Sequence, residues 1–413
     1  MRSVLLVAPH NSYRIHAYVK AASHLGIKIV IASQSSYSLV SAVADGLQVD
    51  FSDDNSSLQV VLQADRDHHF QAVISTDDGA VRLAAVLAQA LGLPSNAPDS
   101  AELTRRKDLA RKRLHSRGAV VPFFRVVNIS SSLESKLNQL QYPVVVKPLA
   151  MSGSKGVIRA NNHQECLNAI ARIKPILADI TNQFEREHVL IEGYISGKEV
   201  AFEGLLRKGE LRQLTIFDKP DQMEGPFFEE TYYVTPTQIL EAEQSLVHRR
   251  VTEACEAYGL REGPIHAELR LLNDEAYIIE MASRTIGGDC ADMLEFGLNI
   301  GLEELVLLQA LGKPLDIPSL EESVGVLMIP IPSRGLLRRV EGIGKAKKVP
   351  HIMDIGISVR EGYEVVPLPE GSSYLGFIFA KAPTAELVEV ALRKAHMCLK
   401  IVIAPTIKLL RNQ

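Results

Sequence analysis

Cysteine is scarce in this 413-residue chain: Cys166, Cys255, Cys290 and Cys398 form no C-x-x-C pair and have no histidine at metal-finger spacing. Neither a disulfide framework nor a structural zinc is expected, and the thiols read as those of a reduced, cytoplasmic protein. An excess of one charge is missing too. The 45 basic and 49 acidic residues leave a net charge of −4, spread along the whole chain, so nucleic acid is not an expected partner. No uncharged apolar stretch approaches the roughly 20 residues that cross a bilayer, which excludes a membrane span of helical type. The opening apolar run, Val4 to Ala8, is cut by Pro9, His10 and Asn11 before it reaches signal-peptide length, and it is expected to be a first β-strand. The chain has no internal repeat, no low-complexity segment and no G-x-G-x-x-G after its first strand, where the turn reads "APHNSY". No dinucleotide is assigned to it.

What is present is enough chain for two or three domains. Strands at 3–8, 27–32 and 72–75 alternate with helices at 12–25, 56–68 and 78–91, as in a parallel, Rossmann-like α/β unit. "GLPSNAPDSAE" then marks a boundary near residue 98. "ALGKPLDIPS" marks another at 312, after which short strands and one late helix, 384–398, read as a separate C-terminal α+β module. The expected domains are 1–98, 99–312 and 313–413. The helix "TRRKDLARKRLHSRG" carries Lys107 and Arg111 four apart on one face, a pattern usually belonging to a solvated basic surface.

Two stretches bear chemistry. In "YPVVVKPLAMSGSKGV", a buried-type strand ends at Lys147, and Ser152, Gly153, Ser154, Lys155 and Gly156 form a loop whose N–H groups can close on an anion. The alternative is an exposed strand-end lysine before an ordinary turn, and on either reading Lys147→Ala is expected to cost little stability. In "GPIHAELRLLNDEAYIIEMASRTIGGD", two strands flank Asn273, Asp274 and Glu275. If Leu272 faces Ala276, Glu268 faces Glu280, with His266 and Arg270 on the same side. Ala267, Leu269, Tyr277, Ile279 and Met281 would then turn to the core. Carboxylates at 4.5–5.5 Å Cβ separation repel, and an oxygen-loving divalent cation compensates. The alternative is a slipped register with solvated glutamates. Arg284 and the Gly287-Gly288 pair, ahead of a helix beginning near Asp289, offer a cationic fork and free N–H donors to a second anion.

These pieces, in this order and over nearly the full length, resemble the ATP-grasp superfamily, and within it the carboxylate–amine ligases of L-amino-acid-ligase type with a biotin-carboxylase-like layout. The resemblance implies a Rossmann-like N-terminal domain, an ATP-grasp central domain with a lid over about 119–192, and a small C-terminal α+β domain. It implies ATP as cofactor, with Lys107, Lys147 and the lid residues Ser152, Gly153, Ser154 and Gly156 on its phosphates. Glu192, Gly193, Tyr194 and Ile195 would form the hinge that reads adenine, and Glu199 would bind the ribose. Glu268 and Glu280 would hold Mg²⁺, for which Mn²⁺ can substitute. Arg284, Lys147, Gly287 and Gly288 would serve the acyl phosphate. The implied substrates are a small carboxylate and an amine, amino acids among them, and a homodimer is compatible with the layout. Many relatives carry asparagine two residues after the second glutamate, whereas Ala282 stands here and removes one ligand of a second ion. Residues 217–237, with Glu229 and Glu230, are expected to close over a substrate, or else to be a mobile hairpin. Rival activities within the resemblance are carboxylation or formyl transfer through an acyl-type phosphate, and a catalytically weak nucleotide-binding subunit.

Overall fold

The structure, a computed structural model, describes residues 3–34, 44–288 and 290–406. Asp289, expected to open a helix, lies outside them. The N-terminal segment forms an all-parallel sheet in the order Asp45–Gln48, Lys28–Ser33, Ser3–Val7, Phe70–Ser75. Its inner strand Ser3–Val7 is buried along its whole length, as a strand covered on both faces must be. The edge strand Asp45–Gln48 was not expected, because "DGLQ" is short, mostly exposed and lacks an apolar pattern.

A second, antiparallel sheet runs Phe124–Asn128, His188–Gly193, Val144–Pro148, Ile158–Ala160. The third has eight strands in the order Glu275–Ala282, Glu262–Leu272, Lys198–Arg207, Glu210–Asp218, Tyr232–Thr235, Ser323–Ile329, Gly376–Ala382, Ile352–Ile357. This sheet does not break at residue 312: Tyr232–Thr235 pairs with Ser323–Ile329, so the C-terminal module is built onto the central sheet rather than set apart from it. The large sheet's apolar face packs on the helices Lys107–Ser116 and Glu241–Tyr258. Among the described residues no helix is long and apolar enough to cross a membrane.

Two local expectations are corrected. The helix expected over 104–118 is two, Pro98–Arg105 and Lys107–Ser116, because Arg106 takes extended angles (φ −100°, ψ 98°). The break frees the Lys107 N–H to donate to Leu149 O at 2.9 Å. In the hairpin, Leu272 faces Glu275, not Ala276, across a two-residue turn in which Asn273 and Asp274 both have positive φ (50° and 60°). A bulge between Leu269 and Glu268 then takes up Ile279 and restores Glu268 opposite Glu280. The bulge also reverses the faces toward the turn. Ala276 and Ile278 enter the core with Met281, whereas Tyr277 and Ile279, expected there, stay half-buried on the other side.

Candidate active site

The facing carboxylates of Glu268 and Glu280 lie where three parts of the fold meet: the edge of the large sheet, the lid sheet and the N-terminal unit. Lys107, first residue of its helix, reaches Glu280 Oε1 at 2.9 Å and Met151 O at 2.6 Å. Arg111, one turn on, is almost fully buried, bonded to Glu192 and to the Ile279 carbonyl at the bulge (2.6 Å). The pair is therefore not a solvated basic face. Lys147 is likewise buried rather than exposed, and it forms an ion pair with Glu192. Burial opposes ionisation of Glu192, but Arg111 and Lys147 together hold its carboxyl below the usual range. For Lys147, burial, aided by the nearby charges of Arg111 and Lys107, outweighs the attraction of Glu192 and lowers the ammonium's pKa.

On the neighbouring strand the same face carries Glu199, bonded to Lys219 at 2.8 Å and to Arg270 at 2.7 Å. Lys219 also meets Glu230 at 2.7 Å and Glu268 at 3.6 Å. Burial works against its charge, yet the three glutamates raise it well above the ordinary lysine value. Beside Lys219 a cleft of about 570 Å³ opens between Tyr194, Glu199, Met223 and the C-terminal helix Ala385–Met397. In the segment expected to be the hinge, the N–H groups of Gly193 and Tyr194 donate to Phe123 O (2.8 Å) and Pro143 O (3.1 Å), and Ile195 O accepts from Arg270 at 2.7 Å.

Arg284 is partly buried: Nη2 donates to Asp78 Oδ2 at 2.9 Å, Nη1 donates to Thr285 O at 2.9 Å, and Nε stands 2.9 Å from Asp78 Oδ1 as an ion pair. The Gly288 N–H donates to the Tyr13 hydroxyl at 2.9 Å, and a Cβ on Gly287 would lie 3.1 Å from Arg14 Nη2. The arginine and glycine pair thus meet the loops that follow the first and last strands of the N-terminal sheet. The lid loop carries positive φ at Gly153, Ser154 and Gly156, and the Gly156 N–H donates to Pro369 O at 2.8 Å. A Cβ on Gly156 would sit 2.8 Å from the Pro148 ring, which is why glycine stands there. The segment 217–237 contributes its ends to strands; the part between them supplies Lys219 and Glu230 to the site and pairs with the lid through Ile158 and Phe227.

Comparison with known proteins finds relatives for each part of the chain. The ATP-grasp domain family matches residues 140–293, the ATP-grasp N-terminal domain 19–95, and the L-amino acid ligase C-terminal domain 2 residues 327–404. The crystal structure of an L-amino acid ligase from Bacillus licheniformis superposes with a TM-score of 0.81 at 26% identity, covering 98% of this chain and 99% of that one. An ATP-grasp domain thus stands at the centre of the chain, between an ATP-grasp N-terminal domain and an L-amino acid ligase C-terminal domain. Dapdiamide A synthase of Enterobacter agglomerans is 26% identical over 239 residues, 57% of this chain and 55% of that relative. N5-carboxyaminoimidazole ribonucleotide synthetase from Thermotoga maritima shares the fold, with a TM-score of 0.72 at 16% identity over 98% of this chain and all of that one.

Three groups of this ATP-grasp chain are not evident from the sequence: Lys219, Glu203 as the partner of His266, and the N-terminal trio Tyr13, Arg14 and Asp78. Lys219 had a signal, since Lys147-Pro148 and Lys219-Pro220 both put lysine before proline at the end of an apolar strand. The N-terminal trio had none, because nothing local ties residues 13 and 78 to residue 284. The site suits a hard divalent ion: Glu268 and Glu280 present oxygen donors from directly opposed positions. Burial opposes the charge of Glu268, but Lys219 and His266 keep its carboxyl below the usual range. Ala282 is buried opposite His266 and adds no ligand.

Proposed function

We propose that this ATP-grasp protein joins a carboxylate to an amine, probing its way through an acyl phosphate and releasing ADP and phosphate. The observation that carries the reading is the opposed Glu268–Glu280 pair, with one lysine on each carboxylate and a lid lysine, Lys147, within the same cluster. Glu268 and Glu280 would hold Mg²⁺, whose charge would offset that of the phosphate groups during transfer. Lys107 and Lys147 bind the phosphate chain, and the lid loop closes over it to exclude water. A carboxylate oxygen of the first substrate forms a bond to the γ-phosphorus as the bond to the ADP oxygen breaks. The amine nitrogen then attacks the acyl carbon, the carbon–oxygen bond to phosphate breaks, and the nitrogen loses a proton. Charge placement and orientation do this work without a covalent enzyme intermediate.

Amino acids are the proposed substrates, supported by the C-terminal match to L-amino acid ligases and by the acidic Glu230 beside Lys219, fit to receive an ammonium. The use of ATP and four cysteines, none of them joined in a disulfide, support a cytoplasmic setting. The test is ADP release measured against a matrix of amino acids and amines. Release that requires two amino acids, or an amino acid and an amine, is expected; release driven by bicarbonate or formate with no response to amino acids would replace the proposal with carboxylation or formyl transfer.

A further inference from the structure

Three alternate cross-strand pairs share one face of the strands Lys198–Arg207 and Glu262–Leu272: Glu199 with Arg270, Ala201 with Glu268, and Glu203 with His266. Residues two apart share a strand face, so Glu203 lines the same surface as the metal-site carboxylate. It is completely buried, and each oxygen has its own partner. Oε2 accepts from His266 Nδ1 at 3.0 Å, and Oε1 accepts from the Ile286 N–H at 3.2 Å. With Nδ1 committed to Glu203, the opposite ring nitrogen, Nε2, faces Glu268 at 3.7 Å. Ile286 stands between Arg284 and the Gly287-Gly288 pair. A carboxylate taken wholly out of water is a weak source of stability, so its two-sided bonding is better explained by what it orients.

We infer that Glu203 is a positioning residue of the phosphoryl-transfer site. Through His266 it sets the direction of Glu268, and through the Ile286 N–H it sets the segment that carries Arg284 and the glycine pair. One side chain thus registers the metal arm against the anion arm. The inference rests on the ATP-grasp reaction proposed above.

Two variants separate its two duties. His266→Asn keeps a donor for Glu203 and removes the nitrogen that faces Glu268. Glu203→Gln is isosteric, keeps an acceptor for Ile286 and removes the charge. Mn²⁺ affinity is read by electron paramagnetic resonance in the presence of a non-hydrolysable ATP analogue, and analogue affinity is read separately in EDTA. His266→Asn is expected to bind Mn²⁺ about tenfold or more weakly while its metal-free analogue affinity stays within about twofold, the usual scale for loss of an outer-shell partner. Glu203→Gln is expected to weaken Mn²⁺ binding likewise and, in addition, to raise the fraction of ADP released without amide. Unchanged Mn²⁺ affinity in folded His266→Asn overturns the inference, as does a Glu203→Gln protein that loses only thermal stability. If Glu203→Gln does not accumulate folded, the His266→Asn result decides alone. Wild-type protein that binds neither Mn²⁺ nor the analogue would instead overturn the ATP-grasp reaction itself.

Discussion

Lys147 has two duties with different energetic consequences. It is the proposed phosphate ligand and, by contact, a buried counter-ion to Glu192. The sequence reading treated it as a surface charge, and that is where it fell short: an apolar run ending in lysine does not say that the antiparallel neighbour will bring a glutamate beside it. Because Arg111 remains on Glu192, Lys147→Ala should cost about 1–3 kcal/mol rather than the full loss of a buried pair. Urea unfolding measures that cost, and ADP release measures the loss of ATP use; unchanged turnover would remove Lys147 from the phosphate site. Glu280→Gln trades relief of repulsion from Glu268 against loss of its bond to Lys107. Those effects oppose each other, so metal-free stability should move by no more than about 1 kcal/mol. The rise in melting temperature on adding Mg²⁺ and ATP should shrink sharply, and an equal rise in mutant and wild type would show that the metal lies elsewhere.

At the scale of elements, the hairpin and the lid decide the geometry. The opposition of Glu268 and Glu280 was reached from the sequence only because two departures offset each other: a turn one residue shorter than expected and a bulge that adds the residue back. That route was not legible, since the bulge at Ile279 has no side-chain signature and its carbonyl is bonded by Arg111, far away in sequence. The lid is held down at several points outside its own sheet. Arg172 forms a two-bond ion pair with Glu370 (2.5 and 3.0 Å), Gly156 bonds Pro369, and the Arg159 N–H donates to Pro226 O at 2.9 Å. The Arg172–Glu370 pair is half-exposed and worth no more than about 1 kcal/mol. Arg172→Ala should therefore leave global unfolding almost unchanged but speed amide hydrogen exchange in Val144–Pro148 and Ile158–Ala160. Exchange at the wild-type rate in both strands would mean that this latch does not hold the lid.

Across the whole molecule, the N-terminal unit is joined to the rest through a polar seam as well as an apolar one. Glu303 lies in the first turn of the helix Leu302–Ala310, which packs on Ile15–Leu25, and burial pushes its carboxyl up to about 7. The folded state therefore binds this proton more tightly than the unfolded chain. The resulting stability, about 3 kcal/mol, is present below the ordinary glutamate value of 4.5 and is lost as pH rises through 7. Urea midpoints should fall over that window in wild type and stay flatter in Glu303→Gln; parallel curves would show that Glu303 is not the group responsible. The alternating strands and helices of this unit were readable from local periodicity. The single eight-stranded sheet was not, because it is closed by strands some ninety residues apart, Tyr232–Thr235 and Ser323–Ile329, whose pairing leaves no local pattern. The central claim, that a carboxylate is activated by phosphorylation, is tested most directly with substrate labelled with ¹⁸O in its carboxyl group. One labelled oxygen should pass into the released phosphate for each amide formed, with ADP as the nucleotide product. Unlabelled phosphate, or AMP and pyrophosphate in place of ADP, would contradict the account.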